Sequence, residues 1–209
     1  VYFIVLGNVE APPEGLNPIQ AGYSAAKLLQ LAFPLAWVLC VQRRRLSRSG
    51  FSRRGIVSGL GFGTAAVLTG LAVYHGLLAD SALVRHAPEL IGQKVQSMGL
   101  GSPTRYLVFA VFLSFPHALF EEYYWRWFAF GQLSRVTKPT TAIVISSLAF
   151  MSHHVIIVHT FFREPLWLIA VLSLAVALGG AFWAWLYHRS GSLLGPWFSH
   201  VLVDAGIML

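Results

Sequence analysis

Three ionisable side chains fall within six residues of an otherwise apolar and aromatic run, LVFAVFLSFPHALFEEYYWRWFAF: Glu121, Glu122 and Arg126. Each costs at least about 2.5 to 3.5 kcal/mol in the hydrocarbon region of a bilayer, so a cluster of three marks a functional site. Glu122 and Arg126 are i and i+4, one helical turn apart and able to pair, while Glu121 points about 100° away. One carboxylate is then neutralised locally and its neighbour is left to face a cavity.

Two later apolar segments carry further polar pairs at the same i, i+4 spacing. Phe150 lies one turn before His154, where it can wall the imidazole ring, and Asp204 lies one turn after His200, where it can orient a ring nitrogen. A lone histidine in a membrane helix commonly serves as a hydrogen-bond donor between helices. Polar clusters on three separate helices point instead to a shared site. Counted from the cytoplasmic helix ends, Glu121, His154 and His200 lie roughly 18, 22 and 14 Å deep at 1.5 Å per residue, close enough to share one buried pocket.

The elements that must hold these residues are membrane helices. The chain has 209 residues, 56% of them hydrophobic and only 11% charged, far from the composition of a soluble domain. Apolar segments long enough to span a bilayer run near 22–41, 55–78, 105–132, 139–161, 166–188 and 192–209. The expected fold is therefore all-α: a polytopic bundle of about six spans in a single membrane domain over 1–209, with the polar site inside it. The sequence starts at Val1 with the apolar VYFIVL, which leaves room for a further helix upstream. Gly55, Gly59 and Gly63 form a small-residue stripe suited to close helix packing. Without a preceding strand, the glycines of this region do not make a nucleotide loop.

The net charge of +7 raises the question of nucleic acid, but its placement answers it. Arg43, Arg44, Arg45, Arg48, Arg53 and Arg54 crowd one connection, and Arg135, Lys138 and Arg189 fall in the other two connections on that side, with no acidic residue among them. This is the distribution of cytoplasmic loops in an integral, multi-pass protein of a plasma or inner membrane, with loop 42–54 cytoplasmic and the site opening nearer that side. Anionic lipid headgroups are the natural partner, and no basic-aromatic platform for nucleic acid accompanies the run. PELIGQKVQSMGL, in the connection before the third long span, has the spacing of a short interfacial helix. The single Cys40 forms no intramolecular disulfide.

In order along 105–204, the residues read Glu121-Glu122-x-x-x-Arg126, Phe150-x-x-x-His154 and His200-x-x-x-Asp204. This set resembles the EExxxR, FxxxH and HxxxN/D motifs of the membrane-embedded CAAX proteases and bacteriocin-processing enzymes, the abortive-infection domain family that includes type II CAAX prenyl endopeptidase. The resemblance implies a glutamic intramembrane endopeptidase that needs no metal or other cofactor. On that reading Glu121 is the general base for a water held against His154, Glu122 pairs with Arg126, and His200 donates to the oxyanion. Asp204 stands where the family pattern often has Asn; either it orients and charges His200, which is the preferred reading, or it is protonated in the site.

Phe150, Tyr124 and Trp197 are expected to line the substrate pocket, and Trp125, Trp127 and Tyr123 to form wall and belt. His117 is one turn from Glu121 and within reach of it, whereas His153, about 100° from His154, is expected to pack or to support the residues of the site from behind. The substrate implied is a peptide bond of a membrane-associated or lipidated protein. Two alternatives stand beside the protease. One is a non-proteolytic scaffold, immunity protein or transporter of the same fold. The other is a metal-dependent protease using Glu121, His154, His200 and Asp204, although HExxH is absent.

Overall fold

The computed structural model describes residues 18–45, 49–81, 84–85, 87–161 and 165–208. VYFIVL, Glu10, Glu14, Arg48, Arg163 and Glu164 lie outside them. The described residues are helical and connecting segments, with no strand among them. Apolar chain in a bilayer must satisfy its own backbone groups, and the helix does so within one segment.

The chain divides into two compact units. The first, Val1–Arg48, contains α1 (Pro18–Ala36), which continues as a wider π-helical turn over Trp37–Val41.

The second unit, Ser49–Leu209, holds the rest. Here α2 is Arg53–Val73, extended by π-helical turns over Tyr74–Leu78, and its N-terminus is capped by Ser52, whose Oγ accepts from the Gly55 N–H at 3.0 Å. The short α3 (Ala87–Ser97) occupies the expected interfacial segment. Next, α4 covers 103–136 as one helical run in which α-helical stretches alternate with π-helical ones at Leu113–His117 and Tyr123–Phe130. The remaining helices are α5 (Pro139–Phe161), α6 (Leu166–Ser190) and α7 (Leu194–Ile207). Gly191, with φ +62°, ends α6 in the left-handed conformation that favours glycine.

Among the described residues, three helices, Arg53–Leu78, Pro139–His159 and Leu166–Ser190, are long and apolar enough to cross a membrane by length and composition. The protein is an integral membrane helix bundle. Of the other expected spans, α4 is interrupted by its charges and wide turns, and α7, at 14 residues, is only about 21 Å long.

The glycine stripe packs α2 against α7. A Cβ on Gly59 would collide with the backbone carbonyl of Gly195, and one on Gly63 would meet the Ser199 carbonyl oxygen at 2.8 Å. Small residues thus let the two backbones touch and fix where α7 presents His200.

The two ends of this unit are tied by loop contacts. The Gly50 N–H donates to the Gly191 carbonyl at 3.1 Å and the Leu193 N–H to Ser49 Oγ at 2.8 Å, joining the α6–α7 connection to the segment that leads into Arg53. At the other end Tyr106 Oη donates to the Met208 carbonyl at 2.9 Å.

Candidate active site

Local winding of α4 sets the first part of the site. Pro116 has no N–H to donate, and the turn around it widens to π-helical geometry, as do the turns from Tyr123 onward. Between them, the five residues Ala118–Glu122 keep α-helical geometry and place Glu121 and Glu122 on adjacent faces. Such wide turns within α-helices recur at functional sites.

One face leads inward to a buried layer. Arg126 Nε lies 3.2 Å from Glu122 Oε2, in a geometry that leaves the contact Coulombic rather than hydrogen-bonded. The other carboxylate oxygen, Glu122 Oε1, accepts from His200 Nδ1 at 2.8 Å. Arg126 Nη2 donates to the Gly180 carbonyl at 3.4 Å, and its guanidinium carbon sits 4.5 Å from the Phe150 ring and 5.0 Å from the Trp183 ring. Arg126 Nη1 has no hydrogen-bond partner among the described residues. The aromatic faces supply cation–π attraction where an acceptor is lacking, worth about 2 kcal/mol when desolvated. Trp183 also stacks on His200, with centroids 4.2 Å apart and planes at 19°, and its Nε1 donates to Ser199 Oγ at 2.9 Å.

A second layer surrounds Glu121. Its Oε1 lies 3.4 Å from both His117 Nε2 and His153 Nε2, and its Oε2 lies 3.7 Å from His200 Nε2. Asp204 Oδ1 approaches the same Nε2 at 3.5 Å. Both ring nitrogens of His200 therefore face carboxylate oxygens, and a hydrogen on each makes every one of these contacts attractive. His154 Nδ1 donates to the Phe150 carbonyl at 3.1 Å, which leaves Nε2 as the lone-pair nitrogen. Glu121, His153 and His154 each offer a ligand atom within 4.8 Å of the others.

Carboxylate, imidazole and guanidinium groups from α4, α5 and α7 thus meet in one place, and residues 103–206, which contain all of them, match the family model described as type II CAAX prenyl endopeptidase Rce1-like. Residues 103–206 are an Rce1-like domain. Its family is that of the CAAX-type proteases. No curated protein and no solved structure matches the chain.

Within the Rce1-like domain, Glu121, Glu122, Arg126, Phe150, His154, His200 and Asp204 come together. Tyr124 and Trp197 do not join them. Tyr124 packs on Trp125 and Phe128 along its own helix, while Trp197 donates from Nε1 to the Phe115 carbonyl at 3.0 Å and meets the Phe115 ring edge-on. The expectation for Asp204 needs refinement, because Glu122 holds Nδ1 of His200 at shorter range and Asp204 approaches only the opposite nitrogen.

His153, read from helical angle as a residue that packs or supports the site, contacts Glu121. Its ring stacks parallel on Trp125, 5.7 Å away and 5° off plane, and this stacking turns Nε2 toward the carboxylate. Trp183, Gly180 and Ser199 also belong to the site. No motif spacing includes them, and a glycine and a tryptophan in an apolar span give no local signal of contact with Arg126. Ser199, a polar residue directly before His200, is the exception that local reading can find.

Proposed function

We propose that the Rce1-like domain is a glutamic intramembrane endopeptidase that hydrolyses a peptide bond of a membrane-associated or lipidated polypeptide. The observation that carries this reading is the spacing between Glu121 and the two imidazoles from other helices, within 4.8 Å of His154 and 3.7 Å from His200. One water donating a hydrogen bond of about 2.8 Å to each side spans the first gap.

In the proposed reaction, Glu121 and His154 Nε2 each accept a hydrogen bond from that water. Its oxygen attacks the peptide carbonyl carbon as Glu121 takes a proton, and the carbonyl oxygen becomes an oxyanion that receives a hydrogen bond from His200 Nε2–H. The tetrahedral centre then collapses, the C–N bond breaks, and the proton on Glu121 passes to the leaving amine. Glu122 and Arg126 hold the His200 ring in the donating orientation throughout.

The test is hydrolysis of membrane-peptide libraries by purified protein carrying Glu121→Gln, His154→Ala or His200→Ala, each compared with wild type. Loss of cleavage with retained folding supports the reading. If the variants cleave as well as wild type, the mechanism fails, and a wild type inactive on every library points to the non-proteolytic alternative.

The Glu121, His153 and His154 cluster also favours a second reading, in which a Zn²⁺ ion polarises the water. This set differs from the one read off the motifs, which joined His154 with His200 and Asp204. Tetrahedral ligands at about 2.1 Å from zinc are roughly 3.4 Å apart. The His153–Glu121 contact already has that spacing, and His154 completes it with a small side-chain shift. Metal analysis of active protein decides: stoichiometric zinc, with activity lost on chelation and restored by zinc alone, establishes the metal reading, and full activity in metal-free protein removes it.

A further inference from the structure

Three tryptophans lie on α6, and they divide by surroundings. Trp167 and Trp185 are 57 and 45% exposed, as suits side chains that meet lipid or its interface, whereas Trp183 is 4% exposed. A buried indole needs an acceptor for its N–H. Here the acceptor is Ser199 Oγ at 2.9 Å, on the residue directly before His200. The same indole lies nearly parallel to the His200 ring, with centroids 4.2 Å apart and planes at 19°. Hydrogen bond and stack thus hold two consecutive residues of α7.

The two contacts constrain His200 in a way that Glu122 alone cannot. Glu122 Oε1 accepts from Nδ1 at 2.8 Å, which fixes one point of the imidazole and leaves the ring free to turn about it. A flat face alongside fixes the plane. Point and plane together determine where Nε2 is aimed, 3.7 Å from Glu121 Oε2 and 3.5 Å from Asp204 Oδ1. Phe150 meets both the indole and the imidazole edge-on at 6.1 Å and closes one side of the pair. Trp183 is itself confined. The Arg126 guanidinium carbon lies 5.0 Å from its ring, and Arg126 Nη2 donates to the Gly180 carbonyl at 3.4 Å, close to one turn before Trp183 on the same helix.

We propose that Trp183 is a positioning residue that acts through His200: its indole face sets the plane of the imidazole, so that Nε2–H points to where the oxyanion forms. That role rests on the hydrolytic reading. It adds to it a fourth helix, α6, on which none of the three motifs lies. Its effect falls on the reacting geometry rather than on substrate affinity, because an indole so enclosed offers no surface to a substrate.

In the full chain, Trp183→Leu should lower kcat about 10²-fold, the size of a misplaced catalytic group, with KM changed by less than about threefold. Trp183→Phe keeps a ring face without the N–H and should stay within about tenfold of wild type. Combination with His200→Ala separates positioning from loss of folded protein. If Trp183 acts through His200, Trp183→Leu costs less than about twofold more in that background, whereas a folding defect costs the same factor in both. NMR of histidine-labelled protein in detergent reads the geometry without activity. The His200 Cε1–H resonance, assigned by its absence from His200→Ala, should lie upfield beneath the indole, move downfield in Trp183→Leu and stay upfield in Trp183→Phe. Additive losses, an unchanged kcat in Trp183→Leu, or a His200 resonance indifferent to Trp183 overturn the proposal, and cleavage by wild type but not by Glu121→Gln then leaves the hydrolytic reading standing. A wild type that cleaves no peptide while the His200 resonance moves as expected overturns the hydrolytic reading and the role of Trp183 with it, and only the indole–imidazole contact stands.

Discussion

Glu121 and Glu122 are neighbours in the chain and opposites in surroundings. Glu122 is fully enclosed, with Arg126 on one oxygen and His200 on the other, and the guanidinium itself is held between Phe150 and Trp183. Glu121 is partly exposed, touched at 3.4 to 3.7 Å by three imidazoles and hydrogen-bonded tightly by none. A carboxylate fixed by short, enclosed contacts can hold a ring in place but is poorly placed to exchange protons with an incoming substrate. One held loosely beside water can do so. On the proposed mechanism, the inner layer gives support and the outer one reacts.

The largest test of that division is Glu121→Gln, for which hydrolysis should fall about 10²- to 10⁴-fold with the thermal unfolding midpoint in detergent unchanged. A marked drop in the midpoint would place Glu121 with the supporting layer. Arg126→Met should instead lower stability, along with any activity that depends on the position of His200. Leaving Glu122 buried without its partner costs about 3 to 5 kcal/mol, read as a lower midpoint, and adding Glu122→Gln should recover part of it. If Arg126→Met is as stable as wild type, the inner layer is not a buried ion pair in the sense described.

Gly59→Ala carries the comparison to the scaffold beneath. Its new Cβ meets the Gly195 backbone, which cannot rotate away, and forcing α2 from α7 should cost about 1 to 3 kcal/mol. Gly61→Ala, with nothing within 4 Å, is the control and should be neutral. The smallest effect is expected from His153→Asn, which removes one contact to Glu121. About tenfold should be lost in kcat/KM with no change in unfolding midpoint, the size of one hydrogen bond to a charged group. A loss as large as that of Glu121→Gln would make His153 part of the chemistry, as the zinc reading requires.

Much of this was legible in the chain. The i, i+4 spacing of Glu122 and Arg126 anticipates their ion pair, the same spacing brings Phe150 against His154 at 4.6 Å between ring centroids, and the Gly55, Gly59, Gly63 stripe anticipates the α2–α7 contact. These relations lie within one helix or on one helical face, where 3.6 residues per turn decides who meets whom. Contacts between helices were less accessible. Nothing in the spacing of His200-x-x-x-Asp204 indicates that Glu122, rather than Asp204, holds Nδ1, and helical angle alone does not say that His153 meets Glu121.

By itself the sequence determined that the protein is an α-helical membrane protein, that ionisable groups cluster on three of its apolar segments, and that basic residues gather in alternate connections. Hydrophobicity, helical period and charge are properties of residue order and need no neighbours. Tertiary structure decided the rest: which carboxylate is enclosed, which aromatic rings cradle Arg126, and that Phe130, Ala142 and Ala184 pack together. Those outcomes depend on side chains from α4, α5, α6 and α7 meeting at contact distance, and wide helical turns and glycine contacts set that register in three dimensions.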